Sequence, residues 1–213
     1  MKEELRDMRK EYRGTFLDAE FTPGNPLELF DIWMKEAVPV VTEPNAMTLA
    51  TVDEFLQPFQ RVVLLKEIYQ GGFVFFTNYQ SRKAQQMNHD PRVSLHFFWQ
   101  PLARQVMICG AVEKMPFDYN ERYFQSRPRD SQIGAWASPQ SKEIGSREVI
   151  EEAFDVWMQK YDSSHLIPCP DHWGGYIVSP QKIEFWQGQP SRLHDRLIYT
   201  LQEETWSKMR LAP

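Results

Sequence analysis

Between residues 46 and 115 the chain runs through five short segments rich in β-branched and aromatic residues: "AMTLATV", "QRVVLLKEIY", "GGFVFFTN", "RVSLHFFW" and "RQVMICGAVEKM". Such segments read as strands. A sheet built from them must dispose of its edges, and closure is the commonest way. Gly71-Gly72 suits a tight turn between the second and third. Two later segments, "GGYIVSPQKIEFW" and "RLIYTL", add strands, and "TWSKMRL" is a candidate for one more. Helical patterns fill the gaps. Asn25 can cap "NPLELFDIWMKEAV", with Pro26 in the first helical position and Leu27, Phe30, Trp33 and Ala37 as its apolar stripe. Ser81 can cap a short helix that stops before Pro91, and Pro116, Pro128 and Ser146 open further helical pieces. The expected fold is therefore mainly β with α additions: a closed or nearly closed antiparallel barrel with peripheral helices.

Composition narrows the partners. A net charge of −5 gives no general attraction for nucleic acid, so any anion site must be local. Cys109 and Cys169 are far apart in sequence, which argues against a disulfide framework or a zinc knuckle and fits a reducing cytoplasm. The histidines have no metal-ligand spacing, so no metal is expected. The first residues are charged throughout, unlike a signal peptide, and no apolar run reaches membrane-spanning length. Residues 1–24 are polar with scattered aromatics and read as a mobile N-terminal segment; residues 25–213 read as one domain.

Several cations stand where a fold alone would not put them. Arg82 and Lys83 fall in the first turn of the Ser81 helix, where the helix dipole disfavours positive side chains but free N–H groups welcome an anion. A solvated helix start is the alternative. Arg61 and Lys66 bracket the apolar run of "RVVLLK", which reads as a strand buried on both faces. Five residues apart, they point to opposite faces and suit two different anions, unless they simply flank the strand. Tyr123, Arg127 and Ser131 recur at spacings of four across Pro128, an approximate helix face able to hold a phosphate, or an incidental polar surface. In "EFWQGQPSRLHDR" an extended backbone would stack Arg192, His194 and Arg196 in one basic column, with Asp195 on the other face. The count is two or three anion-accepting clusters, as a protein holding two phosphorylated ligands would need.

"RVVLLK", "FFTNYQSRK", "PLARQV", "YFQSRPRDSQIGAWASPQS", "WGGY", "EFWQGQPSRLHDR" and the terminal "RLAP" together resemble the pyridoxine/pyridoxamine 5′-phosphate oxidase family. The resemblance implies an FMN-binding split β-barrel and a homodimer. It implies oxidation of pyridoxine 5′-phosphate or pyridoxamine 5′-phosphate to pyridoxal 5′-phosphate by O2, with release of H2O2 and, from the amine, ammonia. By the same resemblance Arg61, Val62, Val63, Leu64, Leu65, Phe76, Thr77, Arg82, Lys83, Gln105, Gln140, Ser141, Trp186 and Arg196 would contact FMN. Lys66, Tyr123, Arg127 and Ser131 would hold the substrate phosphate. Arg192, Leu193 and His194 would lie over the substrate ring, and Arg9, Lys10, Glu11 and Tyr12 would close above it. His194 is a candidate proton acceptor, since its unperturbed pKa is near neutrality. One departure stands out: Leu56 occupies the place of a family glycine in the turn of "VDEFLQPF", so that turn is expected to take another form. Pro190 just ahead of Arg192 should stiffen its loop. The rival readings are a related split-barrel flavin oxidoreductase with another substrate and a non-catalytic carrier of FMN or pyridoxal phosphate.

Overall fold

The computed structural model describes residues 6, 11–12, 14–161 and 166–213. Helix α1, Pro26–Ala37, begins where Asn25 Oδ1 accepts a hydrogen bond from the Leu27 N–H at 3.0 Å. It buries Leu29, Phe30, Trp33 and Ala37, so Leu29 rather than Leu27 completes the apolar stripe. Then come β1 (Ala46–Val52), β2 (Pro58–Leu64), β3 (Glu67–Tyr69), β4 (Gly72–Asn78), α2 (Arg82–His89), β5 (Arg92–Trp99) and β6 (Arg104–Lys114). Three helices, α3 (Phe117–Ser126), α4 (Arg129–Ala137) and α5 (Glu148–Lys160), precede β7 (Trp173–Gln187), β8 (Asp195–Gln202) and β9 (Thr205–Leu211). The strands are hydrogen-bonded in the order β2-β1-β5-β6-β7-β4-β3, with β8 on β7 and β9 on β8.

The segment 60–69 differs from its expected single strand. Leu65 turns inward and is buried while the residues after it are exposed, which breaks the alternation and divides the segment into β2 and β3. The apolar run is not buried on both faces either. β2 ends the sheet path and alternates between exposed and half-buried residues, with Val62 65% exposed. Sequence pattern cannot distinguish an inner strand from an edge strand whose apolar face meets something other than its own chain. The following turn uses Gln70 and Gly71, not Gly71-Gly72. Both have positive φ (48° and 81°) and Tyr69 pairs with Gly72, the geometry of a two-residue primed turn. At the departure noted above, Leu56 itself adopts φ 62°, and Asp53 Oδ1 accepts from the N–H groups of Phe55 and Gln57 at 2.9 Å.

The chain forms two compact units that interleave along it. One comprises Met1–Leu49, Ser94–Gly110 and Pro180–Pro213. Its core is aromatic: Phe30 packs on Phe97 at 5.1 Å, Trp33 on Phe185 at 5.1 Å, and Phe185 on Tyr199 at 5.7 Å. In this unit the stretch from Gly14 to Pro23 is hydrogen-bonded to the C-terminal part of the chain. Gly14 N–H donates to Gly188 O, Lys208 Nζ to Ala19 O and Thr22 O, and Tyr199 Oη to Pro23 O. The other unit comprises Ala50–Val93 and Ala111–Ser179. Phe124, Ile133, Ile167, Cys169 and Trp173 centre its helical core, against which Phe76 and Tyr123 pack.

Candidate active site

A cavity of about 440 Å³ opens in the second unit. Its wall is a stack of three rings from three elements. Phe76 of β4 lies 3.9 Å from Tyr123 of α3 and 5.2 Å from Trp173 of β7, with interplanar angles of 18° and 13°. The "WGGY" glycines make this approach possible. They sit within β7, Gly174 opposite Thr77 and Gly175 opposite Phe76. A Cβ on Gly174 would fall 2.2 Å from the Tyr79 hydroxyl, and one on Gly175 would fall 3.0 Å from Phe76 Cε1.

Among the described residues, three cationic residues line this cavity, Lys66, Lys83 and Arg127, and the surroundings of two of them are defined. Lys83 Nζ donates to Gln140 Oε1 (2.8 Å), Thr77 Oγ1 (3.1 Å) and Ser81 Oγ (3.3 Å), all neutral oxygens. Burial, together with nearby Arg61, pushes its pKa down to about 8. Ser81 stands at the helix N-cap as expected, but its hydroxyl accepts from Lys83 and does not cap the helix. The second group is Arg127, between α3 and α4, which lines the cavity with Lys66, Tyr123 and Ser131. Its guanidinium lies over Trp173, and Nη1 is buried without a hydrogen-bond partner among the described residues. Burial also lowers its pKa. A flat aromatic wall, exposed Val62 of β2, Lys83 on neutral oxygens and Arg127 over a ring face are what a phosphorylated, ring-bearing ligand such as FMN would fit.

The remaining FMN candidates of this unit are less uniform. Val62, Val63, Leu64, Thr77 and Gln140 line the cavity; Leu65 is buried and Ser141, at φ 70°, is exposed. Arg61 turns to Thr51 Oγ1 (2.5 Å) and Gln86 Oε1 (3.2 Å). Arg82 lines a different cavity of about 350 Å³, with Asp53, Phe59 and His89 among its neighbours. The cationic pair expected at the helix start is thus divided, because adjacent helical positions face directions about 100° apart.

In the first unit, Gln105, Trp186 and Arg196 line a cavity of about 270 Å³ with His96, Met107 and Glu184. Strand pairing sets Trp186 opposite Arg196. Arg196 Nε donates to Glu184 Oε1 at 2.8 Å, and His96 Nε2 lies 2.9 Å from Gln105 Oε1. The basic column does not form. Pro190–Arg192 make a single turn, Ser191 and Arg192 have φ of 55° and 62°, and only Asp195 resumes the strand. Alternation fails because the backbone there is not extended. Arg192 and Leu193 are exposed. Tyr12 packs edge-on against Trp186 (5.7 Å) and His194 (6.0 Å), and Glu11 is exposed. Arg9 and Lys10 lie outside the described residues.

The backbone N–H of Gln189 points at His194 Nδ1 from 3.1 Å. A peptide N–H can only donate, so Nδ1 accepts and the neutral ring carries its proton on Nε2. In this tautomer His194 is a hydrogen-bond donor at Nε2, and the proton-acceptor role is closed to Nδ1 while that bond holds.

Residues 34–161 match the family model described as pyridoxamine 5′-phosphate oxidase, and residues 173–213 match the pyridoxine 5′-phosphate oxidase C-terminal dimerisation region. A pyridoxine/pyridoxamine 5′-phosphate oxidase 2 of Hydrogenovibrio crunogenus is 50% identical over 210 residues, 98% of both chains. The pyridoxine/pyridoxamine 5′-phosphate oxidase of Vibrio cholerae is 47% identical over 211 residues, 99% of this chain and 100% of that one. The chain belongs to the pyridoxine/pyridoxamine 5′-phosphate oxidase family. Among solved structures, PhzG of Burkholderia lata, in complex with tetrahydrophenazine-1-carboxylic acid, superposes with a TM-score of 0.88 at 27% identity, covering 96% of this chain and 100% of that one. A pyridoxamine 5′-phosphate oxidase-related, FMN-binding protein of Nostoc punctiforme superposes at 0.71 with 14% identity, covering 90% and 100%. The antiparallel split β-barrel with peripheral helices is the fold these neighbours share with the chain.

Some lining residues gave no usable signal. Trp173 is both core and cavity wall. His96, without metal-ligand spacing in sequence, lines the first unit's cavity beside Gln105. Glu184 becomes Arg196's partner only through the β7–β8 register.

Proposed function

We propose that the chain oxidises pyridoxine 5′-phosphate or pyridoxamine 5′-phosphate to pyridoxal 5′-phosphate, with FMN as cofactor and O2 as terminal oxidant. The alcohol would yield one H2O2; the amine, with one water, would yield H2O2 and ammonia. The observation that carries this reading is the meeting of Lys83 and Arg127 at one aromatic-walled cavity, each without an acidic partner among the described residues. Two phosphorylated ligands, one at each cation, fit that charge.

FMN, when bound, supplies the ring that accepts a hydride from the substrate carbon. This chain's residues would bind and orient. Lys83, with Thr77 and Gln140, would hold the cofactor phosphate, while Arg61 and Arg82 add positive potential. Val62, Val63, Leu64, Leu65, Phe76 and Ser141 would lie along the cofactor, and the family resemblance makes Gln105, Trp186 and Arg196 cofactor contacts as well. Lys66, Tyr123, Arg127 and Ser131 would hold the substrate phosphate. Arg192, Leu193 and His194, with Glu11 and Tyr12, would meet the substrate ring, the His194 Nε2–H donating to a substrate oxygen. The match of residues 173–213 to a dimerisation region, and the exposure of Val62, Phe98 and Met107, support a homodimer. No helix among the described residues is long and apolar enough to cross a membrane, and Cys109 and Cys169 are free thiols; both suit a cytoplasmic enzyme.

The test is peroxide release from the FMN-loaded protein given pyridoxine 5′-phosphate in air. Peroxide with equimolar pyridoxal 5′-phosphate is expected. A yellow protein making neither product from either substrate would end this reading and leave a flavin enzyme of other specificity or a carrier.

A further inference from the structure

Asp195 is a buried carboxylate that faces away from the cavity-lining side chain of Arg196. Among the described residues, all its hydrogen bonds lie within the first unit. Oδ2 accepts from the Leu17 N–H (3.2 Å) and from Gln189 Nε2 (2.9 Å); Oδ1 accepts from Arg210 Nη1 (2.5 Å). The partners are joined to each other as well. Arg210 Nη2 donates to Leu17 O at 2.7 Å, and Gln189 Nε2 donates to Thr15 O at 3.0 Å. Both polar groups of the Leu17 peptide are thus engaged, and both hydrogens of the Gln189 amide.

Gln189 is also the residue whose backbone N–H meets His194 Nδ1. One carboxylate therefore governs two things. It holds the segment 15–17, whose N-terminal neighbour Tyr12 rests on Trp186 and His194. It also fixes the side chain of the residue that sets the His194 tautomer. The loop between them is strained, with left-handed φ at Ser191 and Arg192, a conformation that L-residues keep only where the surroundings enforce it. A fully satisfied buried network can supply that enforcement.

We propose that Asp195 is a positioning residue: through Gln189 and Leu17 it locks the Arg192–His194 loop, holds His194 in its Nε2–H form and anchors the 15–17 segment near Tyr12, which rests on His194. That the locked groups serve catalysis rests on the function proposed above. The experiment compares Asp195→Asn with the native protein by three readouts. Amide hydrogen exchange at Leu17 should quicken about tenfold or more, as local opening no longer breaks the clamp. The ring ¹⁵N shifts of His194 should move from a single Nε2–H tautomer to a mixture. Turnover with pyridoxine 5′-phosphate should drop about tenfold, roughly one charge-assisted hydrogen bond, with FMN retention unchanged. Gln189→Ala cuts the same link without removing a buried charge, and decides the matter if Asp195→Asn fails to fold. Unchanged exchange and unchanged ¹⁵N shifts would overturn the clamp. Altered exchange and shifts at full turnover would overturn its positioning role. A native protein that turns over neither vitamin phosphate would defeat the proposed function alone, because exchange and ¹⁵N shifts still judge the clamp.

Discussion

The guanidinium carbon of Arg127 lies 4.5 Å from the centre of the Trp173 ring, while Nη1 of the same group is buried without a hydrogen-bond partner among the described residues. The ring face offsets part of the cost of burying the cation, and an anion would offset the rest. Arg127→Met should raise KM for pyridoxine 5′-phosphate about 10- to 100-fold, the span of a lost charge-assisted hydrogen bond. It should leave FMN retention within about twofold. The apo protein should melt at the same temperature or higher, because an uncompensated buried charge is gone. Steady-state kinetics and thermal unfolding check the two halves.

Lys83 titrates near 8 because burial and Arg61 oppose its charge. A bound phosphate would restore the proton, so FMN affinity should be flat below pH 8 and weaken above it, by up to about tenfold per unit. For the apo protein the sign runs the other way. Between pH 8 and the unfolded value of 10.5 the unfolded chain binds more protons at this site, so stability should rise with pH across that window. Lys83→Met should remove both dependences. Flavin titration and denaturant melts from pH 7 to 10 measure them.

Because Lys83 faces the cavity and Arg82 lines another, the two should not contribute equally. Lys83→Ala should weaken FMN retention about tenfold or more, and Arg82→Ala only a few-fold, as expected for a screened, solvent-exposed charge. Equal losses in flavin titration would mean that both cations reach the phosphate.

Leu56 is an exposed leucine at φ 62°. Left-handed backbone costs an L-residue about 1–2 kcal/mol, part of which glycine returns through its freer unfolded state. Leu56→Gly should therefore stabilise the protein by about 0.5–1 kcal/mol in urea titration, with turnover unchanged.

Gly188 lies against Tyr12: a Cβ there would stand 2.7 Å from Tyr12 Cγ and 3.0 Å from Ala103 Cβ. Gly188→Ala should push Tyr12 off Trp186 and His194. KM should rise about 3- to 10-fold with little loss of FMN, consistent with losing one aromatic contact.

The strands were legible in sequence because β-branched and aromatic runs between turn residues are local signals. The exposure of β2 was not, since whether "RVVL" lies inside or at an edge depends on which strand pairs beside it. Tyr123, Arg127 and Ser131 could be grouped by spacing alone, and all three line one cavity. Arg192, His194 and Arg196 could not, because two left-handed residues replace the extended backbone the spacing assumed. The spacing put Asp195 on the face opposite Arg196 but could not show its network: two of its partners, Leu17 and Arg210, are 178 and 15 residues away.

The break between α3 and α4 at Arg127 and Pro128 bears on which anions the cavity would take. In an unbroken helix, residues four apart overshoot a full turn by about 40°, so Tyr123, Arg127 and Ser131 would fan across about 80° of one cylinder. Pro128 gives Ser131 a second axis, and the three donors address the cavity from two directions. A planar carboxylate, with its lone pairs in one plane, would satisfy such an arrangement poorly. A tetrahedral phosphate, with oxygens spread over three dimensions, would satisfy it well. The proline would thus sort ligands by the shape of their anionic group as well as by its charge.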